Sequence, residues 1–155
     1  MYLLASSTAR ITCPGPTAFA YAADLENFAA WFPGVIAVAA NDELPFWTVG
    51  KLYSETVAVP LRGTRGVQIR VIVVDSPRRL ITEGDLPVLL PRMEIEVRDI
   101  GAGCCEVHWR MFSRNENALI CRCVLPLAGR VMRRRAGIGL RNLTAKLEAP
   151  QDDRS

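Results

Sequence analysis

A stripe of apolar residues at helical spacing runs through the C-terminal part of the chain. From Leu125 to Leu147 these residues recur at intervals of three and four, and most basic residues of the segment lie away from the stripe. The pattern predicts one long amphipathic helix, with Pro126 in its first turn, where a proline is tolerated. Such a helix is stable only when another surface covers its apolar face, so the rest of the chain must supply that surface.

The middle of the chain has the pattern of a β-sheet. Segments rich in β-branched and aromatic residues alternate with turn residues, which predicts six antiparallel strands at residues 35–40, 51–60, 67–75, 79–85, 92–100 and 104–114. In the last two strands apolar and charged residues alternate strictly, so one face is expected to be buried and the other to face water. The buried face is the expected partner of the terminal helix.

The N-terminal part adds one strand and two short helices. Residues 2–13 predict a strand that ends at a Pro-Gly-Pro sequence, and Pro16 suits the first turn of the helix that follows. Asp24 is expected to cap a second helix at residues 25–32, which a Pro-Gly pair ends. The predicted order β-α-α-β6-α describes an α+β fold with a seven-stranded antiparallel sheet.

Length and composition limit the kinds of protein that this chain can be. Its 155 residues fit one domain, expected at 1–148, with 149–155 as a disordered tail. No apolar run approaches the roughly 20 residues that cross a bilayer, and the first residues lack a signal-peptide pattern, so a cytoplasmic location is expected. The five cysteines match no zinc-ligand spacing and are expected to be reduced thiols in apolar surroundings. Neither a metal nor a cofactor is expected.

The order of elements resembles that of the START-like or SRPBCC superfamily, whose helix-grip fold wraps a curved sheet around its last helix. Within it, the chain is most similar to the polyketide cyclase/dehydrase and lipid-transport branch. The similar segments are FAYAADLENFAAWFPG at 19–34, VGKLY at 49–53, VDSPRRL at 74–80 and LRNLTAKL at 140–147. Each segment alone is a loose match, but their order along the chain is more specific.

The resemblance implies a cavity between the sheet and the terminal helix. Such a cavity suits a hydrophobic or amphipathic small molecule, for example a lipid, an isoprenoid, a quinone or a polyketide. Ordinary core packing explains the same residues equally well, and only a measured volume distinguishes the two. In the aromatic corner of residues 28–32, Phe28 and Phe32 are expected to anchor the fold, while Trp31 reaches the cavity mouth. The candidate lining residues are Trp31, Tyr53, Val57, Ile95, Trp109, Met111 and Met132.

Candidates for chemistry are few. Glu55 shares strand parity with Tyr53, so both are weak catalytic candidates, and an inward Glu55 would have a raised pKa that suits proton transfer. Arg70 and Glu83 are candidates for an inward polar pair. Glu55, Arg70 and Glu83 are all equally explained as solvated or rim charges, which is the more common role of such residues. His108 falls on the face expected to be in water. A cyclase or aromatase acting on a hydrophobic substrate is therefore one alternative to simple ligand binding.

Basic residues suggest a second alternative. Arginine supplies all but two of the 19 basic residues, and four arginines form one cluster on the terminal helix, namely Arg130, Arg133, Arg134 and Arg135. The cluster is either the solvated side of that helix or an interaction surface for anionic lipid, RNA or an acidic protein. No aromatic residues interleave it, which disfavours nucleic acid. The sequence leaves contact with an anionic membrane, and the oligomeric state, open.

Overall fold

The computed structural model describes residues 1–150, so residues 151–155 of the predicted tail lie outside the described residues. Seven strands form one antiparallel sheet in the order β1-β7-β6-β5-β4-β3-β2. Their bounds are β1 Tyr2–Ile11, β2 Val35–Ala40, β3 Leu52–Val59, β4 Gly63–Asp75, β5 Arg79–Gly84, β6 Pro91–Gly101 and β7 Cys104–Ser113. The helices are α1 Gly15–Ala22, a 3-10 helix Leu25–Ala30, α2 Ala118–Cys123 and α3 Leu125–Glu148. The α+β helix-grip fold predicted from the sequence is confirmed.

The structure adds details that the sequence pattern did not predict. The second short helix is a 3-10 helix, whose cap Asp24 accepts a hydrogen bond from the Glu26 amide at 3.2 Å. Strand β4 begins at Gly63, four residues before the predicted start, because its first residues continue the pairing with β3. Helix α2 was not predicted, although Asn117 caps it by accepting from two backbone amides. Helix α3 begins at Leu125 and has Pro126 in its first turn, as predicted.

Helix α3 lies against β1, with its start beside the start of that strand. The Arg133 guanidinium donates to the Leu4 carbonyl at 3.4 Å, and at the other end of α3 the Glu148 carboxylate accepts from the Thr12 amide at 2.8 Å. Antiparallel pairing brings the β3–β4 turn, the β5–β6 loop, α2 and the start of α3 to this same end of the sheet. We call it the hairpin end, and the other end the turn end.

The aromatic corner joins the 3-10 helix to the sheet. Phe28 stacks on Phe32 with ring centroids 4.8 Å apart, and Phe32 contacts the ring of Trp109 on β7 at 4.9 Å. Trp31 packs edge-on against Phe28 at 5.0 Å. These contacts place the corner inside the single cluster of buried apolar side chains that fills the space between the sheet and the helices.

The two faces of the sheet differ as the alternating sequence predicts. In β6 and β7 the apolar residues point to the core, while the charged residues form ion pairs on the outer face. Glu94 is the most buried of these, at 6% exposure, and its carboxylate lies 3.3 Å from Arg92 and 2.9 Å from Arg110. Across residues 1–150, no helix is long and apolar enough to cross a membrane.

Candidate ligand-binding site

Glu55 is a carboxyl group on the inner face of the sheet. It pairs in register with Val38 of β2 and Val67 of β4, so apolar side chains flank it on both neighbouring strands. Its side chain is buried, at 8% exposure, and desolvation is the one effect that shifts its pKa, with no hydrogen bond or charge of residues 1–150 contributing. A buried carboxyl without a partner is unusual, because removing a charge from water costs several kcal/mol unless another group compensates.

Burial changes the acidity of Glu55. Loss of solvation in the apolar interior raises its pKa from the ordinary value of 4.5 to about 7. At neutral pH the group is therefore present in both forms, so it both donates and accepts hydrogen bonds. This is the acidity that general acid–base catalysis at neutral pH requires, and it also suits a hydrogen bond to an uncharged ligand.

Two polar atoms of the interior, the indole nitrogens of Trp31 and Trp109, have no hydrogen-bond partner in the described part of the chain, and both are fully buried. The hydroxyl of Tyr53 is also buried and lies within reach of the Leu25 backbone amide. Burial is also the main reason that the pKa of Tyr53 is raised. Buried polar atoms in folded proteins nearly always have partners, so these atoms are candidates for contact with a ligand or with water.

Thr82 is a polar residue of the inner face that the sequence analysis missed. It lies on β5, paired in register with Val71 and Met93, and is 3% exposed. The sequence could have indicated that Thr82 faces inward, because it lies two residues from the apolar Leu80 on the same strand and such residues point to the same face.

The other predicted lining residues belong to the same core. Ile95 and Met111 are buried, and Val57 and Met132 are partly buried and pack against the buried cluster. Trp31, which was expected at a cavity mouth, is 1% exposed and lies inside the aromatic corner. The structure thus brings all seven predicted residues to one apolar interior.

Two open hollows lie elsewhere on the molecule. One of about 310 Å³ is at the turn end, between the start of the 3-10 helix and the β2–β3 loop, and one of about 320 Å³ lies between β1 and α3. Neither is lined by Glu55 or by any of the seven predicted residues.

Comparison with known proteins identifies the family. The family described as polyketide cyclase / dehydrase and lipid transport matches residues 4–148. The chain belongs to this family. No curated protein matches the sequence.

Solved structures with the same fold include an aromatase/cyclase. The Zhui aromatase/cyclase of a Streptomyces species has a TM-score of 0.66 at 15% identity, with 92% of each chain covered. A Thermus thermophilus protein has a TM-score of 0.71 at 13% identity, covering 92% of this chain and 95% of that one. The di-domain ARO/CYC protein BexL has a TM-score of 0.64 at 14% identity; it covers 94% of this chain, which spans 50% of BexL. At these identities the likeness shows the fold alone.

The remaining candidates of this family member lie outside its interior. Arg70 is exposed, and Glu83 forms ion pairs on the outer face with Arg92 at 3.2 Å and Arg114 at 3.5 Å. His108 lies on the outer face, as expected, and its ring nitrogen is 2.9 Å from the Ser6 hydroxyl. Arg70 and Glu83 are therefore charges of the outer face, and they do not form an inward pair.

The four arginines of the α3 cluster do not act as one surface. Arg130, Arg133 and Arg134 are exposed, whereas Arg135 is half-buried and donates to the Ala58 carbonyl of β3 at 3.1 Å. Its guanidinium also lies against Gly34, where an added Cβ would be within van der Waals overlap. Loss of solvation lowers the pKa of Arg135. This residue links α3 to the end of β3, a role that strand and helix periodicity could not indicate.

Proposed function

We propose that this protein binds a hydrophobic or amphipathic small molecule between the inner face of its sheet and α3, with the Glu55 carboxyl contacting the polar group of the ligand. The unpaired, buried Glu55 carboxyl is the observation that carries the proposal. A lipid, an isoprenoid, a quinone or a polyketide has the required apolar body and oxygen substituents.

Energetic considerations support this assignment. An unpaired carboxyl in an apolar core lowers stability, and an apolar residue of similar volume in its place would remove that cost. The cost is offset when a ligand forms the missing hydrogen bonds, and such bonds are stronger in a dry interior than in water. Tyr53 and Thr82, on the same face, offer two further hydroxyls to a ligand that extends along the sheet.

Access to Glu55 is proposed to occur at the hairpin end. Glu55 is three residues before Ala58, whose carbonyl accepts the hydrogen bond from Arg135 of α3. Separating α3 from the end of β3 would break this bond, and we expect the gap to admit a ligand to the inner face at Val57 and Glu55. The movement required is that of one helix against one hairpin, and no strand pairing is lost.

A matched pair of ligands tests whether Glu55 anchors a polar group. Farnesol and the hydrocarbon farnesene are compared by their ability to displace the fluorescent probe phenylnaphthylamine. We expect the native protein to favour farnesol by about tenfold, since one buried hydrogen bond is worth about that much. Glu55→Leu should remove the preference while farnesene still binds.

The control for this experiment is Glu43→Leu, which removes an exposed carboxylate at the turn end. It should leave the farnesol preference unchanged. The proposal is wrong if neither ligand displaces the probe, or if the preference for farnesol is the same in Glu55→Leu as in the native protein.

An aromatase/cyclase activity is the second candidate, and the pKa of Glu55 near 7 favours it. A carboxyl of this acidity can take a proton from a polyketide carbon and return it to an oxygen, while Tyr53 donates to that oxygen. An enzyme and a carrier differ in the effect of Glu55→Gln. In an enzyme, turnover of a polyketide thioester falls by roughly a hundredfold or more with affinity retained; a carrier has no turnover to lose.

A further inference from the structure

The arginines near the surface of this protein differ in whether a carboxylate lies within 4.0 Å. Those on the outer face of the sheet each have one, namely Arg10, Arg78, Arg79, Arg92, Arg98, Arg110 and Arg114. Arg92 and Arg114 lie toward the hairpin end, where both pair with Glu83. Arg70 and Arg141 are exposed and have no carboxylate within 4.0 Å in residues 1–150. Arg70 lies in the middle of β4, and Arg141 lies in the second half of α3. The other exposed arginines with no carboxylate within 4.0 Å in the described part of the chain surround the hairpin end: Arg62, Arg65, Arg122, Arg130, Arg133 and Arg134.

The sequence at the hairpin end keeps carboxylates away from these arginines. Residues 117–147, which form α2 and nearly all of α3, contain no Asp or Glu, and neither do residues 56–74 around the β3–β4 turn. Asp85 and Glu116 are the exposed acidic residues nearby in the chain. The surface is therefore strongly positive and attracts an anionic partner.

Apolar side chains project from the same surface. Leu61 at the tip of the β3–β4 turn is fully exposed, and Leu119 of α2 and Leu127 of α3 are 71% and 61% exposed. Val88, in the β5–β6 loop, is also exposed. Leu61 and Val88 have left-handed backbone, with φ of 64° and 72°, which such residues rarely adopt. Strain of this kind is typical of functional loops, and here it accompanies apolar side chains that point into water.

The turn end has the opposite character. Its hollow is lined by Asp24, Glu26, Asp42 and Glu43, and only Lys51, paired with Asp42 at 2.9 Å, adds a positive charge there. The exposed Trp47 lies among these carboxylates. A negatively charged surface therefore attracts the hairpin end and repels the turn end, which gives the molecule one orientation.

We propose that the hairpin end docks on the surface of an anionic lipid bilayer, with Leu61, Leu119 and Leu127 entering the headgroup region and the unpaired arginines contacting lipid phosphates. Basic residues around exposed aliphatic side chains are the pattern of proteins that lie in the membrane interface. RNA is a poorer fit, since base stacking uses aromatic side chains and the exposed large apolar residues of this end are aliphatic. Docking in this way brings the proposed access route beside Arg135 to the membrane. The docking proposal does not depend on ligand binding in the interior.

Flotation with lipid vesicles tests the proposal. The native protein should float with phosphatidylcholine vesicles that contain roughly one third phosphatidylserine and not with phosphatidylcholine alone, and salt should weaken the binding. Arg130→Gln with Arg134→Gln should lower affinity by about 25-fold, since each arginine near the surface is worth about fivefold. Leu61→Ser with Leu127→Ser should lower it by about tenfold with the same charge.

The matched control is Arg78→Gln with Arg98→Gln, which removes the same charge from exposed side chains near the turn end. It should bind vesicles nearly as the native protein does, and thermal melts should show that all variants are folded. The proposal is overturned if the native protein does not float with anionic vesicles, if the control pair loses as much affinity as the Arg130 and Arg134 pair, or if an RNA oligonucleotide binds where vesicles do not. Each of these outcomes leaves the farnesol result, and so the proposed internal site, unaffected.

Discussion

Glu55→Gln will stabilise the protein at pH 8, raising the free energy of unfolding by about 2 to 3 kcal/mol in protein freed of ligand. The gain follows from the raised pKa of Glu55, because the native state at pH 8 holds a desolvated charge that the unfolded state exposes to water. Glutamine has nearly the same shape and carries no charge. Urea unfolding of both proteins between pH 4.5 and 8 measures the difference.

The sign of the pH dependence follows from the two pKa values of Glu55. The folded group has a pKa of about 7 and the unfolded group about 4.5, so between these pH values the native state binds more protons. Stability due to Glu55 is therefore complete below pH 4.5 and declines as the pH rises to 7. We expect the native protein and Glu55→Gln to be about equally stable at pH 4.5 and to differ most above pH 7.

Glu94→Gln is the matched control for this prediction. Glu94 is equally buried, but its carboxylate has two arginine partners, at 3.3 Å and 2.9 Å. Removing its charge weakens its bonds to Arg92 and Arg110, which keep Glu83 and Glu96 as partners, so the same substitution should destabilise the protein by about 2 kcal/mol. If both glutamine variants change stability in the same direction at pH 8, Glu55 is not an unpaired buried carboxyl.

Gly139→Ala will destabilise the protein by about 1 to 3 kcal/mol, the usual cost of excess volume in a well-packed core. An added Cβ at position 139 would lie 2.9 Å from the ring of Phe32 and 3.5 Å from Pro33. Phe32 has little freedom to move, because Phe28 stacks on it and Trp109 contacts its ring. The effect would show that α3 packs directly on the aromatic corner.

Gly137→Ala, two residues away on the same helix, should have the opposite effect. The nearest atom to its added Cβ is the end of the flexible Arg141 side chain, at 3.9 Å. Alanine is favoured over glycine in a helix by about 1 kcal/mol, so stability should rise by up to that amount. Equal effects of the two alanine substitutions in thermal melts would mean that the approach of α3 to Phe32 is looser than described.

The arrangement of strands and helices could be predicted because it depends on local periodicity. Strict alternation in β6 and β7 predicted which residues point to the core, and the stripe from Leu125 to Leu147 predicted α3. The parity shared with Tyr53 made Glu55 a candidate for the inner face, where it lies. In each case the pattern extends over a whole element, so a single misplaced residue does not change the prediction.

Other features depend on contacts between distant parts of the chain. The sequence alone does not distinguish Arg92 from Arg130. Only the folded sheet places Glu83 and Glu94 beside Arg92. In the same way, the burial of Arg135 depends on the Ala58 carbonyl and on Gly34, both far away in sequence. The division of the arginines into paired and unpaired groups could therefore be found only in the structure.

Native mass spectrometry of the purified protein tests the central claim most directly, because it detects a retained ligand of any chemical identity by its mass. After incubation with a mixture of lipids, isoprenoids and quinones, we expect the protein to carry one apolar small molecule that is released on denaturation. Glu55→Leu should retain less of any ligand that has a hydroxyl or carbonyl group. If the native protein and Glu55→Leu both stay empty under these conditions, the result would contradict the account.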